Sequence, residues 1–226
     1  KKIIGILTAQ DVIEAVDDEL GEDYAKLAGL AAEEDLNETT KESMKKRLPW
    51  LVILLFLGMG VSTVVGAFEN VDAVLPVVIC FQSLILDMAG NVGTQSLAVT
   101  IRVLIDENLS SKDKLRLTFK EMKIGFCNGG LLGILALVCL GAYITLFKGY
   151  PLTTALFISG CVGISLLVAI IISSLVGTLV PIFFHKIKVD PAVASGPLIT
   201  TINDLVAVVT YYGLAWILLI QTLKIV

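Results

Sequence analysis

Two groups of oxygen-bearing side chains lie inside apolar runs of this sequence. In Leu198–Ile220, a stretch long enough to cross a bilayer, Thr200, Thr201, Asn203 and Asp204 fall close together. In the run 73–105, Asp87, Asn91, Thr94 and Gln95 recur at i, i+4, i+7 and i+8, which places them on one helical face. A carboxylate inside a span costs roughly 2.5–3.5 kcal/mol on insertion scales, so Asp204 requires a compensating partner. Either it is a structural acid bonded to a neighbouring helix, or it faces a wet pathway and meets a cation. Both faces offer oxygen alone, with no His–Cys set in competition, and such donors suit the hard cations Mg2+ and Ca2+ rather than zinc or copper. Mg2+ gives up its waters reluctantly, so a route for it needs few direct ligands and room for a hydrated ion. One Asp204 per chain half-neutralises a divalent ion. A second copy about a two-fold axis would complete the pair, which predicts a homodimer with the pore on or near its axis.

A third group lies near the start. Glu19, Glu22 and Asp23 sit at i, i+3 and i+4 on one helical face. An acidic run such as Asp17–Asp35 is most often a solvated face, yet three unpaired carboxylates on one stripe repel and would bind a divalent cation.

The elements that must hold these groups are membrane helices. The chain has 226 residues, 56% hydrophobic and 17% charged, and a mean hydropathy of +0.87, far too apolar for a soluble domain. Most of the acid is in the first 42 residues, giving an acidic head and a membrane body. The start shows no signal-peptide pattern, and the sequence is expected to be the tail of a longer protein.

Residues 1–7 read as a short strand (Ile3, Ile4, Ile6, Leu7), followed by Thr8 as a cap and an amphipathic helix with Val12, Ile13 and Val16 inward. Lys41, Lys45, Lys46 and Arg47 precede Pro49 and Trp50, where a first span is expected over 50–68 with Pro49 at its start. Glu69, Asn70 and Asp72 follow it. The run 73–105 is too long for one straight span, and Gly90 and Gly93 predict a helix that is broken, tilted or partly outside lipid. Ser110 and Ser111 then cap an amphipathic helix leading into a third span, 124–147, in which Gly125, Gly129 and Gly133 form a close-packing stripe. Gly149-Tyr150-Pro151 is a tight turn before the fourth span, 152–184. Asp190-Pro191 opens the last segment, and Gly196-Pro197 is expected to break or kink it. The fold class is thus an all-α membrane protein of five transmembrane helices. The Lys/Arg flanks put the N-terminus in the cytosol and the C-terminus outside.

Cys80, Cys127, Cys139 and Cys161 lie singly in apolar runs and read as small core hydrophobes. His185, at a helix C-terminus, complements the helix dipole rather than binding metal. With no usable His and no Ser–Lys arrangement at depth, the sequence disfavours an intramembrane hydrolase, and no enzyme is expected. No nucleic-acid-binding stripe is present.

The segment Ala89-Gly90-Asn91-Val92-Gly93-Thr94-Gln95-Ser96 resembles the Gly-Gly-Asn-x-Gly-x-Gln-Ser motif of MgtE-type magnesium channels. Asp190-Pro191-Ala192 with the later Asp204, Lys120-Glu121-Met122, and Gly21-Glu22-Asp23 with Lys26-Leu27 resemble further signatures of that family. Its first motif glycine is Ala89 here, and Gly196 stands where some members have a side-chain amide. The resemblance implies a cell-membrane homodimer with a pore lined by the second and fifth spans. Its pore site would be Asp204 with Thr200, Gly196 and Asn203, and Asp87, Asn91, Thr94 and Gln95 would line the second span. It further implies that 1–20 end a CBS domain, 21–47 form a connecting plug helix and 48–226 form the pore domain. The remaining CBS and N-terminal cytosolic domains would be partners within the same full-length chain. Asp190, Glu19, Glu22 and Asp23 would hold regulatory Mg2+ at the cytosolic mouth. The implied activity is Mg2+ influx through a channel gated by cytosolic Mg2+, with an ion-coupled transporter of Mg2+, Co2+ or Mn2+ as the alternative.

Overall fold

A computed structural model describes residues 5–30, 37–68, 76–104, 109–193 and 196–218. The described residues form six α-helices: α1 (Ala9–Leu27), α2 (Thr40–Gly66), α3 (Pro76–Leu104), α4 (Ser111–Lys148), α5 (Leu152–Lys186) and α6 (Gly196–Ala215). A 3-10 turn, Pro191–Val193, precedes α6, and residues 216–218 continue it as a π-helical turn. Five stretches, Thr40–Gly66, Val77–Leu104, Ser111–Lys148, Leu152–Lys186 and Gly196–Leu218, are long and apolar enough to cross a membrane.

Helix starts follow local chemistry. Thr8, Thr39 and Ser110 each cap a helix through a capping box, with Asp11, Glu42 and Asp113 returning the bond. The box at Thr39 starts α2 well before the apolar run, so Pro49 lies inside the helix and not at its head. Likewise α4 begins in the basic connection and continues into the span without a break. At about 1.5 Å per residue its 38 residues reach roughly 57 Å, nearly twice the ~30 Å hydrocarbon layer, so its charged first turns extend beyond lipid.

The middle of the bundle is α5, packed on α3, α4 and α6. Small residues let the backbones meet. A Cβ on Gly129 would lie 3.0 Å from the Leu167 Cα. Gly133 and Gly163 face one another so closely that a Cβ on either would be 2.7 Å from the other's carbonyl oxygen. Lipid supplies no hydrophobic drive between helices, so this close approach is what holds α4 to α5. The expected glycine stripe is therefore a helix–helix contact. Gly149, at φ 72, ends α4 in the left-handed conformation expected of the turn. α2 is peripheral. It leans on α6, where Phe68 stacks on Tyr212 with ring centres 5.5 Å apart.

Several expectations are corrected. From Pro76 to Leu104 the second apolar run is not broken: α3 is one helix through Gly90 and Gly93, because those glycines serve contacts with α6. Gly196 and Pro197 do not kink the last span but open it, where a missing proline N–H is harmless. No strand forms at Ile6 and Leu7, which are 87% and 80% exposed, and Ile3 and Ile4 lie outside the described residues. α1 stops at Leu27, Gly29 turns the chain at φ 82, and α2 starts at Thr40. Only Cys161 is buried; Cys80, Cys127 and Cys139 point outward, where lipid is as apolar an environment as a core. Glu33, Glu34, Asp35, Glu69, Asn70, Asp72 and the span beyond Leu218 lie outside the described residues.

Candidate ion pathway and its mouth

The site is built where α6 crosses α3. Gly90 lies under Thr200, with a Cβ there only 3.0 Å from the Thr200 Cγ2. One turn on, Gly93 lies under Asn203, where a Cβ would fall 1.8 Å from Nδ2. A further contact joins Thr94 to Gly196, where a Cβ would lie 3.6 Å from the Thr94 Cγ2. Three successive positions of α3 thus fix the register of α6.

Asn203 takes a structural place. It is fully buried, its Nδ2 donates to the Ala89 carbonyl oxygen at 3.4 Å, and its Oδ1 has no partner among the described residues. Successive helical residues diverge by about 100°, which sets Asp204 on the face adjoining that of Asn203. Asn203 faces α3. Asp204 is half-buried and bonds to no described residue, so the bond to a neighbouring helix that a structural acid would make is absent among them.

On α3, Asp87, Asn91 and Gln95 are exposed along one stripe, and Thr94 is partly buried beside them. Thr94 Oγ1 donates to the Asn91 carbonyl oxygen at 2.9 Å. Asp87 also lines a groove between α3 and α4 with Phe81, Leu140 and Tyr143. Thr200 and Gly196 stay near Asp204 on α6, both partly buried. Every side-chain donor on this surface is oxygen or an amide.

At one end of the bundle α1 lies on the 3-10 turn. Asp190 caps that turn: its Oδ1 accepts from the Ala192 N–H at 2.9 Å, and its Oδ2 accepts from Lys26 Nζ at 2.8 Å. Lys26 also pairs with Glu22 at 3.3 Å. Asp23 is held above the usual carboxylate range, chiefly by burial and next by the Asp190 charge. Glu19, Asp23 and Asp190 share the wall of a cavity of about 750 Å³ with Arg102 and His185. The structure therefore brings the four expected mouth carboxylates onto one side of the molecule. Among the described residues, however, no three His, Cys, Asp or Glu groups gather as a metal cluster. Oxygen donors fit Mg2+, but the arrangement suits a hydrated ion better than a closed cage. Just beyond Lys26, Leu27 packs with Leu97 and Ile199, and a Cβ on Gly196 would be 3.3 Å from the Leu27 carbonyl oxygen. The end of α1 thus rests on the start of α6.

Three contacts escaped the sequence reading. Lys26–Asp190 joins residues 164 positions apart. Gly29 packs on the Trp50 indole, with a Cβ 2.5 Å from Cδ1. Glu121, 5% exposed, accepts from Ser96 Oγ at 3.0 Å and ties α4 to α3. A carboxylate beside the small-residue stripe, one turn before Gly125, was the available signal for Glu121. His185, expected to serve the α5 dipole, does end that helix, and its Nδ1 accepts from Lys114 Nζ at 3.0 Å.

Five helices long and apolar enough to cross a membrane define a multi-pass membrane protein. Residues 82–214 match the family model MgtE, described as divalent cation transporter, and the chain belongs to that family. It is similar to the magnesium transporters MgtE of Bacillus subtilis (38% identical, 94% of this chain) and Enterococcus faecalis (37%, 94%). It is also similar to that of Thermus thermophilus (32%, 96%). The chain spans 45%, 45% and 47% of those relatives' lengths, respectively. A transporter family accords with the expectation that the chain is not an enzyme.

Proposed function

We propose that this chain forms the membrane part of a Mg2+ channel, with Asp204 meeting the hydrated ion. The observation that carries the reading is that Asp204, half-buried in an apolar helix, bonds to no described residue. A carboxylate so placed in a span needs a partner from outside the chain, and a cation in a wet pathway is one. Thr200 and the carbonyl of Gly196 would touch the water shell, since Mg2+ keeps several of its waters. The exposed stripe of Asp87, Asn91 and Gln95 favours a homodimer, because a second copy would shield it from lipid and supply the second Asp204.

The Lys/Arg flanks favour a cytosolic N-terminus, so the α1 end would be the cytosolic mouth of a protein in the cell membrane. Inward flux then runs down a potential worth about 2.3 kcal/mol per charge per 100 mV. Glu19, Glu22, Asp23 and Asp190 would bind cytosolic Mg2+ and hold the end of α1 over Gly196, closing the path. The CBS and N-terminal cytosolic domains that the family resemblance implies would add to that control.

The test is Mg2+ uptake into liposomes carrying the protein, under an inside-negative potential and with no other permeant ion. Uptake lost in Asp204→Ala and sustained in the parent supports the channel. Uptake that needs a second ion gradient favours a coupled transporter, and normal uptake by Asp204→Ala removes the assigned role.

A further inference from the structure

We infer that Lys26 is a built-in cation of the mouth, bound where a divalent ion would bind and competing with it for Asp190. The inference rests on the proposed binding of Mg2+ by the mouth carboxylates and names what occupies them otherwise. The ammonium lies 2.8 Å from Asp190 Oδ2 and 3.3 Å from Glu22 Oε2, between an acid of the 3-10 turn and an acid of its own helix. Both Asp190 oxygens are engaged, Oδ1 by the Ala192 N–H at 2.9 Å and Oδ2 by Lys26. An ion or its water shell that takes Oδ2 displaces Lys26 or shares that oxygen with it.

The surroundings favour a cation at this point. Glu19, Asp23 and Asp190 line one cavity, and the Lys26 ammonium sits between Glu22 and Asp190. The Lys26 side chain is 29% exposed, so the pair is only partly screened by water. Position gives the contact its consequence. Lys26 directly precedes Leu27, whose carbonyl oxygen rests on Gly196 at the start of the pore helix. With Lys26 bound, α1 is held on the mouth without any metal. Mg2+ has then to displace a tethered competitor, which raises the concentration at which it acts.

Trp50 is a local reporter, since its indole packs on Gly29, three residues from Lys26. The sequence has two tryptophans, so Trp216→Phe leaves Trp50 alone. Trp50 emission is followed against MgCl2 in nanodiscs. Lys26→Met is expected to lower the half-saturating Mg2+ roughly two- to five-fold, the range of a partly exposed ion pair. Lys26→Arg, which can still pair with Asp190, is expected to stay near the parent. Lys188→Met removes an exposed charge two residues from Asp190 and serves as the field control; it is expected to shift the midpoint less.

An unchanged midpoint in Lys26→Met, or an equal shift in Lys188→Met, overturns the inference while leaving the mouth site standing. Asp190→Asn separates the two readings. If it leaves midpoint and amplitude unchanged, or if the parent emission does not respond to Mg2+, both the mouth site and the competition are overturned.

Discussion

Asn203 lies directly on Gly93: a Cβ at position 93 would come within 1.8 Å of the Asn203 Nδ2. That contact, with the bond from Nδ2 to the Ala89 carbonyl, seats α6 on α3 and turns the next residue, Asp204, onto the adjoining face. Gly93 is bounded on a second side as well, since a Cβ on Gly177 would lie 2.2 Å from the Gly93 carbonyl oxygen. The crossing of α3, α5 and α6 at this point therefore has no room for a methyl group.

Gly93→Ala is expected to destabilise the protein by about 1–3 kcal/mol, the usual cost of overpacking. Gly130→Ala, with open space around it, should be near neutral. Thermal unfolding of both variants in detergent checks the pair, and a Gly93→Ala protein as stable as Gly130→Ala contradicts the packing.

At the α4–α5 contact, Gly133→Ala should displace the Gly163 backbone and lower the melting temperature. Gly213→Ala, on a face with no neighbour within 4 Å, should not. Equal melting temperatures would mean that this pair of backbones does not meet in the membrane.

Glu121→Ala leaves the buried Ser96 hydroxyl without its acceptor. Loss of about 1–3 kcal/mol is expected, and Ser96→Ala should cost little more in that background. A double-mutant cycle on thermal stability with no coupling would dissolve the link between α3 and α4.

Asp23 titrates above 3.8 in the docked α1 because burial, and then Asp190, disfavour its charge. The docked state therefore binds more protons than the undocked one across the interval between 3.8 and that raised value, so docking weakens as pH rises through it. Asp23→Asn should remove this part of the pH dependence. Protease accessibility of the α1–α2 connection, measured at acid and neutral pH, reads the difference; the same dependence in parent and variant would refute it.

Much of this arrangement was legible in the sequence because it follows from period and depth. Apolar length marked the spans, a four-residue glycine interval marked the α4–α5 contact, and one acid in an apolar run marked Asp204. What a single sequence does not carry is the partner of each small or charged residue. Gly90 and Gly93 read as breaks because glycine weakens a helix, and only the fold reveals Thr200 and Asn203 above them. The partner of Lys26 is out of reach of the sequence, because the turn that brings Asp190 to it is 164 residues away.

The central claim is that Asp204 faces a cation. Its most direct test is the anomalous signal of Mn2+ in crystals of the protein grown from Mg2+ and exchanged. The expected result is a peak beside Asp204, between two copies, farther than the ~2.1 Å of direct coordination and so bridged by water. An empty Asp204, bonded instead to a helix of the second copy, would contradict the account.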